Sequence, residues 1–312
     1  MGEPLFHVLG LPVTAYAAGM ALSALAGVLY LRHRFGRLGL GAERAEALAL
    51  LALPLCLLLA RAAYVLIRLN YYLERGGGAA LRLWEGGYAA AGAAAGFLLA
   101  VWLAGRRFRV RPGRLADAAA PAGLLFLALA RFCEGLAGQG FGQEVPPGFA
   151  FFPLAVGNEY GEWRWAVFLL EGAAALLFLA LARRREGTLR EGGLARYALL
   201  LVLSFQILFE SLREDEVLSW GFVRVHQLLS AAGLFALMAE GLFRRAPGAW
   251  RAPRHLAVAA FFLLLLLVVA LEFALDKTTL DTRLIYALML LACLGLSRTV
   301  AIAAGLGKRW ET

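Results

Sequence analysis

LADAAAPAGLLFLALARFCEGLAGQGFG, residues 115–142, decides how this chain is read. It is an apolar run of helical length with Pro121 inside it and Arg131 near its far end. Gly138, Gly140 and Gly142 follow at alternate positions. An ionisable side chain inside an apolar span is costly and marks a site more often than packing. A guanidinium offers a planar fork for phosphate or carboxylate, and glycine backbone lets a ligand approach closely. The stretch therefore predicts a membrane-spanning helix whose end receives an anion.

The rest of the chain supports that setting. Of its 312 residues 61% are hydrophobic, and the mean hydropathy is +0.70, outside the balance of a water-soluble domain. Nine apolar segments, at 12–31, 47–67, 88–104, 115–133, 165–182, 197–212, 225–243, 256–275 and 284–305, lie near the roughly 20 residues that cross a bilayer core. The expected fold is an all-α, polytopic integral membrane protein with about nine transmembrane helices. Residues 1–245 form one membrane domain. Residues 246–312, which include the nearly uniform FFLLLLLVVALEFAL, form an appended helical hairpin.

Charge orients the segments. One set of alternate loops carries Arg32, Arg34, Arg37 and Arg44, then Arg106, Arg107, Arg109, Arg111 and Arg114. It continues through Arg183, Arg184, Arg185, Arg190 and Arg196, then Arg244, Arg245, Arg251 and Arg254, and closes with Lys308 and Arg309. The opposite loops hold Glu74, Glu85, Glu144, Glu159, Glu162, Glu214, Asp215 and Glu216. The positive-inside rule predicts the N-terminus outside and the C-terminus in the cytoplasm. The net charge of +9 is accounted for by basic loops facing anionic headgroups, so no nucleic-acid partner is expected. Met1–Leu11 carries Glu3 rather than a basic n-region, so no cleavable signal is read there. Cys56, Cys133 and Cys293 show no metal-ligand or disulfide spacing; Cys133 is a small buried thiol or a nucleophile beside Arg131. The loop over 134–164 holds Phe149, Phe151, Phe152, Tyr160 and Trp163, with Trp165 just beyond. It reads either as a cover for a lipid-facing cleft or as an interfacial aromatic belt.

Several polar groups fall in or at the ends of spans: Tyr16, Arg61, Tyr64, Arg131, Glu134, Glu171, Glu210, Arg213, His226 and Gln227. The derived topology puts Tyr16, Arg131, Glu134, Glu210, Arg213 and His226 near the outer leaflet. They read as one site, or else as structural ion pairs such as Arg61 or Arg131 with Glu210. Asp117 reads as a helix cap.

With these residues in view, the chain resembles the prolipoprotein diacylglyceryl transferase family. The resemblance rests on WEGG at Trp84–Gly87, ADAAAP at Ala116–Pro121, and Arg131 followed by Gly138 and Gly142. It continues through LPVTAY with Tyr16, ARAAYVL at Ala60–Leu66, LLEG at Leu169–Gly172, FESLRE at Phe209–Glu214, and Gln227. It covers roughly 10–245 and implies seven family-like spans, N-out and C-in, to which the C-terminal pair is appended. It further implies a multi-pass enzyme of the bacterial inner membrane that moves diacylglyceryl from phosphatidylglycerol to the lipobox cysteine of a prolipoprotein, releasing glycerol phosphate. On this resemblance Arg131 meets phosphatidylglycerol and Glu210 organises the cavity. Tyr16, Arg61, Tyr64, Gly138, Gly142 and Arg213 line the lipid site, and the prolipoprotein signal peptide is a partner. No metal or organic cofactor is implied.

The chain departs from the family pattern at several positions. The histidine after WEGG falls at Ala91, an asparagine after the arginine at Glu134, another at Ala137, and an acid at Gln139. An arginine four residues before Glu210 falls at Gln206, a tyrosine one turn earlier at Val202, and GEWRWAV at Gly161–Val167 replaces HPSQLYE. Three readings stay open. The chain is an active transferase with His226 or Glu134 as base, a paralogue with another lipid or acceptor, or a non-catalytic lipid- or lipoprotein-binding protein. Paired broken helices or an inverted repeat, which would point to transport, are not evident.

Overall fold

The computed structural model describes residues 4–8, 11–83, 86–145, 147–157, 161–214, 219–220, 223–243, 252–278 and 280–306. Trp84, Glu85, Glu159, Tyr160, Asp215, Glu216, Arg244, Arg245, Arg251, Lys308 and Arg309, all used in the sequence argument, lie outside the described residues. Ten α-helices occur among the rest: α1 Ala15–Arg37, α2 Ala42–Ile67, α3 Leu69–Arg75, α4 Ala90–Phe108, α5 Pro112–Glu134, α6 Val167–Arg184, α7 Gly193–Leu212, α8 Val225–Phe243, α9 Ala252–Lys277 and α10 Thr282–Ala304. Each of the nine apolar segments contains one long helix; the short α3 is an addition. Among the described residues seven helices, α1, α2, α5 and α7 to α10, are long and apolar enough to cross a membrane. The chain is a multi-pass membrane protein. The other two long helices, α4 and α6, end in Arg106–Arg107 and Arg183–Arg184, and α6 also contains Glu171, which shortens their apolar runs.

Three sequence expectations change. Residues 12–14, placed in the first span, belong instead to the strand Leu11–Thr14, which pairs with Pro4–Val8. The β-branched Val13 and Thr14 suit a strand, and the Thr14 hydroxyl accepts from Ala17 N at 3.2 Å, which caps α1. Several arginines assigned to loops sit on helix ends: α1 runs through Arg32, Arg34 and Arg37, where the carbonyl end of the helix favours cations. Asp117 lies in the second turn of α5, because that helix starts at Pro112, so it is not an N-cap. Two further two-stranded hairpins, Ala155–Gly157 with Trp163–Trp165 and Ser219–Trp220 with Val223–Arg224, lie in the loops after α5 and α7.

The chain divides into two compact units, Val28–Ala122 and the remainder. In the smaller unit, α4 lies against α2 through GAAAG at Gly92–Gly96. A Cβ on Gly92 would come within 2.2 Å of Leu59 O, and one on Gly96 within 2.5 Å of Leu55 O. In lipid, helices gain little from hiding apolar surface, so close backbone packing over small residues holds them together. Pro121 cannot donate to Asp117 O, and one residue on, Ala118 O accepts from the buried Arg34 Nε at 2.9 Å.

In the larger unit one apolar core joins α7, α8, α9 and α10, including Leu200, Ile207, Leu234, Met238, Phe261 and Met289. Gly241 of α8 meets α10 so closely that a Cβ would lie 2.3 Å from Ala304 Cα. Leu263 and Leu266 on α9 stay exposed, as lipid-facing side chains do.

Candidate active site

The larger unit gathers the ionisable groups of α5 to α8. Arg131 and Glu134, three apart, share one face at the end of α5. Glu171 projects from the second turn of α6, Gln206 and Glu210 share a face of α7 four residues apart, and Arg213 follows that helix directly. Close contacts set this geometry. A Cβ on Gly172 would sit 2.3 Å from the Phe132 ring, and one on Gly135 2.5 Å from the Phe168 ring. These glycines let α6 approach α5, which carries Glu171 up to Arg131.

Four of the groups form a closed ring of alternating charge. Arg131 Nη1 pairs with Glu134 Oε1; Glu134 Oε2 accepts from Arg213 Nη2 at 2.9 Å. Arg213 Nη1 reaches Glu171 Oε2 at 3.1 Å, and Glu171 Oε2 returns to Arg131 Nε at 2.8 Å. Their side chains are between 3% and 15% exposed. Charges buried to that degree persist only when paired and hydrogen-bonded. The pairs foreseen as Arg131 or Arg61 with Glu210 are therefore not those observed: Arg131 takes Glu134 and Glu171.

Beside the ring, Gln206 Nε2 donates to Glu210 Oε1 at 2.9 Å and lies 3.5 Å from Glu171 Oε1. His226, at the start of α8, places Nδ1 3.7 Å from the same Glu210 oxygen. Glu210 Oε2 and the ring nitrogens of His226 are buried without a hydrogen-bond partner among the described residues. A base next to an orienting carboxylate, with unused hydrogen-bonding capacity, is the arrangement that proton transfer requires.

The two expected ligand glycines have distinct surroundings. Gly138 ends the helical turn after α5 at φ +66, with open space where a Cβ would be. Gly142 serves the protein itself: a Cβ there would lie 2.2 Å from Leu212 O, and it bridges to Arg213. Backbone bonds from Gly142 N to Trp165 O and from Glu214 N to Phe141 O, 2.8 and 3.0 Å long, hold Arg213 where it meets the ring. Tyr16, in the first turn of α1, is within electrostatic reach of Glu134 and Arg131. Cys133 packs on α1, where a Cβ on Gly19 would come within 2.7 Å of its sulfur.

Arg61 and Tyr64 belong to the smaller unit. Arg61 donates to the carbonyls of Ala80 at 3.0 Å, Ala79 at 2.9 Å, Arg82 at 3.1 Å and Gly87 at 3.2 Å, and also to Gly86. Its guanidinium lies over the Tyr72 ring, 5.3 Å from the centroid, and a Cβ on Gly87 would strike the Tyr64 ring. Both residues shape the segment that leads into α4. Glu171 and Gln206 complete the ring region, yet sequence reasoning did not select them as site residues. The available signal was the single acid within the apolar run of α6, and an amide one turn before Glu210.

A family model described as prolipoprotein diacylglyceryl transferase matches residues 3–242. Similar proteins include the phosphatidylglycerol–prolipoprotein diacylglyceryl transferase of Bacillus velezensis, 27% identical over 79% of this chain and 93% of the relative. The Bacillus licheniformis protein of the same name is 29% identical over 79% of this chain and 94% of its own. That of Streptococcus pneumoniae is 30% identical over 58% and 70%.

Proposed function

Because this chain belongs to the prolipoprotein diacylglyceryl transferase family, we propose that it moves the diacylglyceryl group of phosphatidylglycerol onto the thiol of a prolipoprotein in the bacterial plasma membrane. The observation that carries the reading is the pair of arginines, Arg131 and Arg213, bridged by the two oxygens of Glu134. Two guanidiniums held apart by one bidentate anion form a seat that a phosphodiester fits. In this reading the lipid phosphate takes the place of the Glu134 carboxylate, while Glu171 keeps both arginines aligned.

The acceptor thiol gives its proton to His226, and Glu210 stabilises the imidazolium. The thiolate forms a bond to the terminal glyceryl carbon as the bond from that carbon to phosphate oxygen breaks. The electron pair leaves on glycerol phosphate, whose charge the arginines balance. His226 stands in for the histidine whose family position is Ala91. Tyr16 and the open space beside Gly138 lie on the lipid side, and the signal peptide brings the cysteine. The nine crossings, N-out and C-in, belong to the same proposal.

A transfer assay with phosphatidylglycerol vesicles and a lipobox peptide tests it, using the wild type, His226→Gln and Ala91→His. A general base contributes typically 10²–10⁴-fold, so His226→Gln should lose about that factor, while Ala91→His, which leaves His226 in place, should keep the wild-type activity. A wild type that binds the lipid but transfers nothing, and does not support growth when the cell's own transferase is depleted, overturns the proposal.

A further inference from the structure

The C-terminal pair α9 and α10 lies beyond the residues matched by the family model, which ends at 242, yet it sends a carboxylate back into the bundle. Glu272 stands near the end of α9, a helix whose stretch from Leu256 to Leu271 carries no ionisable residue. A carboxylate there is expensive unless it is bonded, and the partners of Glu272 are specific. Ser211 Oγ on α7 and Gln227 Nε2 on α8 both donate to its Oε1.

Those two residues directly follow the proposed catalytic pair: Ser211 comes after Glu210 on α7, and Gln227 after His226 on α8. The second N–H of Gln227 Nε2 faces Ser211 Oγ at 3.0 Å and Ile207 O at 3.2 Å, while Gln227 Oε1 accepts from Arg224 N at 3.2 Å. The Tyr286 hydroxyl on α10 donates to Ser211 O at 3.4 Å. One carboxylate thus ties α7 to α8 at the level where Glu210 Oε1 and His226 Nδ1 are 3.7 Å apart. Gln227 and Ser211 are 5% and 3% exposed, so water does not readily replace this junction. The ring nitrogens of His226 make no hydrogen bond among the described residues. The direction of its ring is therefore set by the start of α8, which Gln227 anchors.

We infer that Glu272 is a positioning residue of the transferase site: by holding Ser211 and Gln227 together it fixes the distance and orientation of the Glu210–His226 pair. The inference rests on the proposed role of that pair, and it makes the C-terminal hairpin part of the catalytic framework.

The test uses the full chain in nanodiscs with Glu272→Ala, Glu272→Asp and Glu272→Gln. Two quantities are read: the kinetics of transfer, and the ¹⁵N shifts of the His226 ring, assigned by their loss in His226→Gln. Misplacement of a catalytic group by about an ångström costs up to roughly a hundredfold. Glu272→Ala should therefore lower kcat by about ten- to a hundredfold with KM for the lipid nearly unchanged, and should shift both His226 nitrogens. Glu272→Gln, which keeps an oxygen for Ser211 and Gln227, should recover kcat and the wild-type shifts. Glu272→Asp, one methylene shorter, should fall between them, and it decides the matter if the alanine variant does not fold. Unchanged His226 shifts and kcat in folded Glu272→Asp and Glu272→Ala, with only thermal stability lowered, overturn the inference. If the wild type has no transferase activity the functional proposal fails, while the ring shifts still decide whether Glu272 positions His226.

Discussion

Arg131 shows how one buried residue is read differently before and after its partners are known. Its position inside an apolar run marks it as functional, since an unpaired guanidinium at that depth would not persist. The run of sequence around it does not reveal that Glu171 and Arg213, 40 and 82 positions on, close a ring with it and Glu134. The ring makes a definite prediction about lipid affinity. A charge-assisted pair contributes about 1.5–3 kcal/mol, or roughly ten- to a hundredfold. Arg131→Gln should weaken retention of phosphatidylglycerol during purification by that factor, and Glu134→Gln, which removes the competing anion, should strengthen it. If Arg131→Gln aggregates while the remaining soluble protein binds lipid like the wild type, Arg131 is a structural ion-pair residue.

At the scale of elements, hydropathy locates the long helices well because each needs a continuous apolar run, and that property is local. Pairing between helices is another matter. GAAAG in α4 is a common small-residue pattern, and only the contacts of Gly92 and Gly96 with Leu59 O and Leu55 O identify α2 as its partner. Overpacking such a contact costs about 1–3 kcal/mol. Gly92→Ala and Gly96→Ala should each lower the melting temperature in detergent, while Gly123→Ala in α5, where a Cβ meets nothing within 4 Å, should leave it nearly unchanged. Equal effects at all three positions would mean that α2 and α4 are not packed backbone to backbone.

At the scale of the whole molecule, the proposed orientation depends on arginine placement: basic helix ends and loops on one side, acidic and aromatic loops on the other. With Cys56, Cys133 and Cys293 replaced, a single cysteine at position 110 should react only with membrane-permeant maleimide in whole cells, and one at position 150 should also react with an impermeant reagent. Both positions reporting the same side would reject the N-out, C-in arrangement.

Membrane character, the approximate limits of nine helices and the unusual polar residues Tyr16, Arg131, Glu134, Glu210, Arg213 and His226, as one site or as structural ion pairs, were legible from the chain alone. Each follows from composition, apolar run length or the high cost of a polar group at depth, which are properties of a residue and its near neighbours. The tertiary structure alone decided which carboxylate neutralises which arginine. It also assigned Arg61 to a cradle of carbonyls at 79–87, and linked Glu272 to the residues beside Glu210 and His226. Apart from Arg131 with Glu134, which share a helix face three residues apart, those outcomes depend on distances of a few ångströms between segments well separated in sequence, and neither spacing nor hydropathy encodes such distances.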